Sequence, residues 1–167
     1  MVEKEIISAE AIWKILKAVP DPEIPVLTIV DLGIVRDVLT TNDGVEVVIT
    51  PTYNGCPAMD MISMNIRLVM AEHGITNVKI TSVLSPAWTT DWMSDDAKRR
   101  LKEYGIAPPN SKQAVCSPNA FQEEEAIECP LCSSYNTKMI SRFGSTACKA
   151  LYQCNDCKEP FDYFKCH

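Results

Sequence analysis

Two Cys-x-x-Cys pairs constrain the fold of this chain more than any other feature. Cys129-Pro-Leu-Cys132 and Cys154-Asn-Asp-Cys157 are separated by 21 residues. Each pair can place two thiolates about 2.3 Å from one metal ion, and two pairs complete a tetrahedron. The segment 129–167 is too short to be stable by the burial of apolar side chains alone, so metal binding should be coupled to its folding. Residues 129–167 are therefore predicted to form a zinc-ribbon-like module with a hairpin over 136–142 and 149–153 and one structural zinc.

Iron is the main rival to zinc in this module, because four thiolates also suit rubredoxin-type iron or an iron–sulfur cluster. Three further thiols lie near it in sequence. Cys148 is interpreted as a small core residue, as free cysteines often are. The alternative is that Cys148 and Cys166, together with Cys116, form a second metal site. For Cys166 the sequence favours neither a core role nor a ligand role.

The first 106 residues have the pattern of a two-layer α+β domain. A helix capped by Ser8 runs towards Pro20, two strands flank the turn Asn42-Asp43-Gly44, and a long helix starts at Pro57 and stops at Gly74. A third strand and a last helix give the order α-β-β-α-β-α, which predicts a small mixed sheet. Polar, proline-containing residues 107–128 are predicted to be a linker. The predicted ranges are 9–19, 57–73 and 94–104 for helices, and 34–39, 45–50 and 78–84 for strands.

Composition excludes several function classes. The formal net charge of −6 argues against a nucleic-acid binder, which needs a basic face. No apolar run is long enough to span a membrane, and no leader precedes the first helix, so we expect a cytoplasmic protein with reduced thiols. The chain has no glycine-rich phosphate loop, dinucleotide fingerprint or Glu-x-x-His motif, so we expect no catalysis of hydride transfer or oxygen activation.

Cys56 is the most informative residue of the N-terminal domain. It directly precedes the predicted helix, where free backbone N–H groups and the helix dipole favour a thiolate. Such a thiolate could hold a metal or act as a nucleophile, but a small buried cysteine is an equally good interpretation. Asp21, Glu23 and Asp31 are interpreted as turn and cap carboxylates in preference to metal ligands.

Two tryptophans follow the third predicted strand. Trp88 and Trp92 are four residues apart in a polar connection. They can be core anchors, or they can form a surface for docking another protein.

Several strings of residues resemble a known family. Asp21-Pro-Glu-Ile-Pro-Val26, Asp31-Leu-Gly33 and Cys56-Pro57 resemble the domain shared by SufT-type iron–sulfur assembly factors. The fuller strings resemble the PaaD family, the D components of the bacterial phenylacetyl-CoA epoxidase system, over about residues 13–166. These strings are Thr50-Pro-Thr-Tyr-Asn-Gly-Cys-Pro57, Ser85-Pro-Ala-Trp-Thr-Thr-Asp-Trp-Met93, Phe143-Gly-Ser-Thr-Ala-Cys-Lys-Ala-Leu-Tyr152 and Glu159-Pro-Phe-Asp-Tyr-Phe-Lys-Cys166.

The resemblance implies an accessory role in aerobic phenylacetate breakdown. On the family pattern, Cys56 is the functional cysteine that handles transient iron or an iron–sulfur cluster, with Asp21 and Glu23 as its neighbours in the motif. The implied partners are the oxygenase or reductase subunits and the iron–sulfur assembly machinery, and a homodimer is a further option. The alternative is a binding subunit that stabilises the oxygenase without moving metal; a thiol-based enzyme is the weakest interpretation.

Overall fold

The computed structural model describes residues 7–109 and 126–165, and the contacts divide the chain into two units, Met1–Trp88 and Thr89–His167. The two units are α+β and are described separately. The first contains α1 (Ala9–Leu16), β1 (Val35–Thr40), β2 (Val45–Ile49), α2 (Ala58–Glu72) and β3 (Val78–Ser82). The second contains a 3-10 helix (Thr90–Trp92), α3 (Asp95–Tyr104), β4 (Ile106–Ala107), β5 (Thr137–Ser141), β6 (Lys149–Cys154) and β7 (Pro160–Phe164).

The first unit has the mixed sheet predicted from the sequence. Its order is β1-β2-β3, with β1 and β2 antiparallel and β2 and β3 parallel. The turn between β1 and β2 contains Gly44, where an added Cβ would lie 2.5 Å from the carbonyl oxygen of Asn77. Only glycine allows this close approach of two loops. Val45, Val47 and Ile49 bury one face of the central strand.

Helix α2 is the crossover between the parallel strands β2 and β3. It buries Ala58, Ile62, Ile66 and Met70, which recur every four residues on one face. The helix ends as predicted, since Gly74 has φ +77° and this left-handed conformation suits glycine. The loop that carries Cys56 therefore leaves the carboxyl end of β2 and enters the amino end of α2.

The second unit is a four-stranded sheet in the order β4-β7-β6-β5, in which β6 pairs antiparallel with both neighbours. Tyr152 and Tyr163 pack edge to face in its core, with ring centroids 5.7 Å apart. Two residues that were predicted to lie in the linker, Ala107 and Ile127, are buried in this core beside Cys129.

Helix α3 belongs to the second unit, whereas the sequence pattern grouped residues up to 106 with the first. Ser94, which was predicted to be the first residue of this helix, is its N-cap, and Gly105 ends the helix with φ +94°. Gly105 turns the chain directly into β4, where Ile106 is paired with Asp162 of β7 in the parallel register. This pairing joins residues far apart in sequence, and it explains why local patterns assigned α3 to the preceding domain.

Candidate metal centre and thiol site

The four predicted ligand cysteines meet at one point in the second unit. Cys129 Sγ lies 3.8 Å from Cys157 Sγ, and Cys132 Sγ lies 3.6 Å from Cys154 Sγ. All four sulfur atoms lie within 4.8 Å of one another. A tetrahedron with metal–sulfur bonds of about 2.3 Å has sulfur–sulfur edges of about 3.8 Å. The thiols are therefore spaced to bind one metal ion, and they are too far apart for disulfide bonds.

Two similar turns hold these cysteines. Cys129 and Cys132 precede β5, whereas Cys154 ends β6 and Cys157 lies in the turn into β7. The residue after the second cysteine of each pair has a left-handed backbone: Ser133 has φ +61° and the other, Lys158, has φ +68°. This repeated geometry lets each short turn direct both of its thiols to the same point.

A polar network ties the two turns together, and no sequence pattern predicted it. The Asp156 carboxylate accepts hydrogen bonds from the Ser134 hydroxyl and from Asn136 Nδ2, the latter at 2.8 Å. The amide N–H of Asn155 donates to the carbonyl oxygen of Asn136 at 2.8 Å. The hydrogen bonds to Ser134 and Asn136 lower the pKa of Asp156 below its usual value. These hydrogen bonds therefore join the two turns that carry the four cysteines.

The pKa values of Cys154 and Cys157 differ strongly. The backbone N–H of Cys157 lowers the pKa of Cys154 to about 7. The backbone N–H of Glu159 lowers the pKa of Cys157, but burial and the neighbouring thiols outweigh it and raise that pKa to about 12. Four thiolates so close together repel one another, so a divalent cation is needed to stabilise them. Closed four-thiolate sites of this geometry fit zinc, and the same ligands suit a single iron ion.

Cys56 is half-buried in the first unit, directly before α2. Its amide N–H donates to the carbonyl oxygen of Tyr53 at 3.3 Å. Burial raises the pKa of the Cys56 thiol, hydrogen bonds from the Ala58 N–H and the Tyr53 side chain lower it, and the carboxylates of Glu23 and Asp21 raise it further. The expected preference for a thiolate at the helix start is therefore outweighed: burial and two acidic neighbours favour the neutral thiol.

Asp21 and Asp31 have structural hydrogen-bond partners. Asp21 is buried, and its Oδ1 accepts hydrogen bonds from the amides of Glu23 at 2.9 Å and Ile24 at 2.8 Å. Asp31 accepts from the amide and the hydroxyl of Thr28 at 2.9 and 2.8 Å. Within residues 7–109 and 126–165, the four ribbon cysteines are the one set of three or more metal-binding side chains whose ligand atoms cluster. Cys56 is thus close to Asp21 and Glu23 without forming a closed metal site with them.

The structure describes Trp88, Trp92 and Cys148 among the remaining candidate residues. Trp88 is 5% exposed and donates from Nε1 to the carbonyl oxygen of Leu32 at 2.8 Å, so its role as a docking residue is corrected to a core anchor. Trp92 is half-buried in the 3-10 helix, and its docking role stays a prediction. Cys148 is buried beside the Thr146 hydroxyl, at 3.0 Å. Cys116 and Cys166 lie outside the described residues.

Comparison with known proteins places these two sites in a family. The family described as iron–sulfur cluster assembly protein matches residues 9–83, and the PaaD zinc beta ribbon domain matches residues 113–165. An Escherichia coli K12 protein provisionally assigned as the D component of 1,2-phenylacetyl-CoA epoxidase is 54% identical over 155 residues, covering 93% of this chain and 91% of that protein.

Two further comparisons concern the first unit. An Fe-S protein maturation auxiliary factor of Porphyromonas gingivalis W83 is 40% identical over 94 residues, which cover 55% of this chain and 89% of that protein. A crystal structure of a DUF59 domain from Bacillus anthracis matches with a TM-score of 0.53 and 30% identity, covering 56% of this chain and 90% of that one.

The chain is an α+β domain that matches the iron–sulfur cluster assembly family, followed by a cysteine-rich β ribbon. The chain belongs to the PaaD family, whose Escherichia coli member takes its name from the epoxidase. In the described part of the chain, no helix has both the length and the apolar character needed to cross a bilayer.

Proposed function

We propose that this chain is a non-catalytic maturation subunit of the phenylacetate pathway, which passes iron or an iron–sulfur cluster to phenylacetyl-CoA epoxidase or its reductase. The observation that carries the proposal is the setting of Cys56. This half-buried thiol lies at the amino end of α2, in the domain that matches the iron–sulfur assembly family. A single thiol with no closed set of ligands around it can bind a cargo and release it.

The four-cysteine site has a different role in this proposal. Its thiols are spaced for a closed tetrahedral metal, and Cys129 and Cys154 are fully buried in the ribbon core. A resident zinc held this way stabilises the ribbon. The zinc site would therefore shape the ribbon, whereas Cys56 would handle the cargo.

The proposal is tested by transfer to a client. The protein would be reconstituted anaerobically with ferric iron, sulfide and a thiol reductant and mixed with the metal-free reductase. We expect visible charge-transfer absorption on this chain and recovery of the reductase spectrum, both lost in Cys56→Ser. Cys148→Ser is the matched control because Cys148 is a buried thiol outside both sites. Absorption and transfer that persist in Cys56→Ser would contradict the role of Cys56.

A second candidate function is a binding subunit that stabilises the oxygenase without moving metal. It is favoured by the large apolar side chains that the second unit exposes: Leu131 at 57%, Tyr135 at 61%, Ile140 at 52% and Phe143 at 63%. Exposed apolar side chains that form a contiguous patch mark interaction surfaces. If this function is correct, Cys56→Ser will support full epoxidase activity, whereas Ile140→Lys with Phe143→Ser will not.

A further inference from the structure

Helix α2 has a second apolar face that the first unit does not cover. Met61, Met64 and Leu68 are 46%, 49% and 55% exposed, and Pro57 and Ala71 continue the row at either end. The steps between these five positions are four, three, four and three residues. This alternation is the heptad spacing of the apolar seam between paired helices. We call these five residues the outer seam of α2.

The outer seam differs from the face that α2 buries. The buried residues follow a spacing of four and pack inside the unit. The outer seam is costly to leave in water, since burial of apolar surface is the main favourable contribution to protein association. A helix of 15 residues is about 22 Å long, which is enough for two heptads of contact.

The charges beside the outer seam favour a second copy of this helix. Arg67 and Glu72 lie five residues apart, on opposite sides of the seam. Arg67 Nη1 donates to the carbonyl oxygen of Val78 at 2.6 Å, which fixes one end of the guanidinium to the start of β3. In a parallel pair of helices, positions 67 and 72 are the flanking positions that meet across the interface, so each Arg67 faces the Glu72 of the other copy. The two-fold symmetry of a homodimer forms this ion pair twice.

Parallel pairing of two α2 helices would also determine where the two Cys56 residues lie. This residue directly precedes Pro57, the first position of the outer seam. A parallel pair brings both Cys56 residues to one end of the interface. An antiparallel pair centred on Met64 would separate them by about 24 Å, at 1.5 Å of rise per residue. In the described part of one chain, Cys56 is in no cluster of three metal-binding side chains.

We propose that the outer seam of α2 binds a second copy of this chain in parallel, and that the two Cys56 thiols then form one shared site for the iron or cluster cargo. This inference rests on the proposed function for the identity of the cargo. The dimer supplies the second thiol that the single chain lacks. It also places the carboxylates of both copies around the shared site.

The first test is oligomeric state by light scattering, on the full chain with its ribbon metal bound. We expect twice the chain mass for the wild type and the monomer mass for Met64→Lys and for Leu68→Lys. Leu39→Lys is the matched control, because Leu39 on β1 is 47% exposed and lies outside the outer seam. Glu72→Lys should weaken the dimer at least tenfold by placing two cations together. A monomeric wild type, or a dimer that Met64→Lys leaves unchanged, would overturn the inference.

The second test concerns direction and cargo. In a Cys116→Ser/Cys166→Ser background, a short bismaleimide should join the two Cys56 residues of the dimer; a dimer that cannot be joined is antiparallel and overturns the shared site. Met64→Lys should also lose the absorption of the reconstituted cargo. If the Met64→Lys monomer keeps full absorption and Cys56→Ser loses it, the hypothesis of a shared site is wrong and the proposed function stands. If Cys56→Ser keeps the absorption, the shared site and the proposed function are both wrong.

Discussion

Ser133 follows Cys132 and has φ +61°, in the left-handed region. An L-residue there costs about 1–2 kcal/mol, whereas glycine adopts this backbone freely but loses more entropy on folding. We expect Ser133→Gly to stabilise the metal-loaded ribbon by about 1 kcal/mol relative to Ser133→Ala, which removes the same hydroxyl and keeps the strain. Denaturant unfolding of the two variants measures this difference, and equal midpoints would contradict it.

The pKa of Cys56 is raised, first by burial and then by Glu23 and Asp21. Because the neutral thiol is favoured, alkylation by iodoacetamide should rise with pH through a midpoint above that of an ordinary cysteine. Glu23→Gln removes a negative charge and should lower this midpoint. Tyr53→Phe removes a hydrogen bond that lowers the pKa and should raise it. Mass spectrometry of the Cys56 peptide across pH measures all three midpoints; opposite shifts would contradict the assignment.

At the scale of elements, Asp156 links the turn before β5 to the turn between β6 and β7. Removing this partner should loosen both cysteine pairs, and losses of about 10–100-fold in metal affinity are usual for such partners. We expect Asp156→Ala to weaken zinc binding by about tenfold or more, and Asp156→Asn to weaken it less because its amide oxygen still accepts one bond. Competition with a chromophoric chelator measures the affinities. Wild-type affinity in Asp156→Ala would show that the network does not support the site.

The elements that could be predicted from the sequence are those with local signals. Ser8 and Ser94 cap helices, and Gly74 and Gly105 end them, because caps act within one turn. Strand β4 was not predicted, since two residues carry no periodicity and pair with β7 more than 50 positions away. The outer seam of α2 was not recognised either. Apolar residues surround that helix, and tertiary packing decides which of them are buried.

The four-cysteine site could be predicted from local sequence, whereas the environment of Cys56 depends on residues far away in sequence. The four ribbon ligands could be predicted because the spacing of the pairs itself reflects metal geometry. The raised pKa of Cys56 could not, since Glu23 and Asp21 are more than 30 residues away in sequence and are brought close by the fold. Helix position alone therefore gave the wrong direction for this thiol.

At the scale of the whole molecule, the two units should respond differently to metal removal. The ribbon sheet has a small core that includes two ligand cysteines, whereas the first unit has its own apolar core. We expect a strong chelator to abolish hydrogen-exchange protection in β5, β6 and β7 and to leave β1, β2 and β3 protected. Loss of protection in both sheets, or in neither, would contradict a structural metal confined to the ribbon.

We propose that this chain keeps a resident ribbon metal separate from a cargo at Cys56. The most direct measurement counts zinc, iron and sulfide in anaerobically reconstituted wild type and Cys56→Ser. We expect about one zinc per chain in both proteins, as one four-thiolate site requires, with iron and sulfide in the wild type alone. Equal iron and sulfide in the two proteins, or iron in place of zinc at the ribbon cysteines, would contradict it.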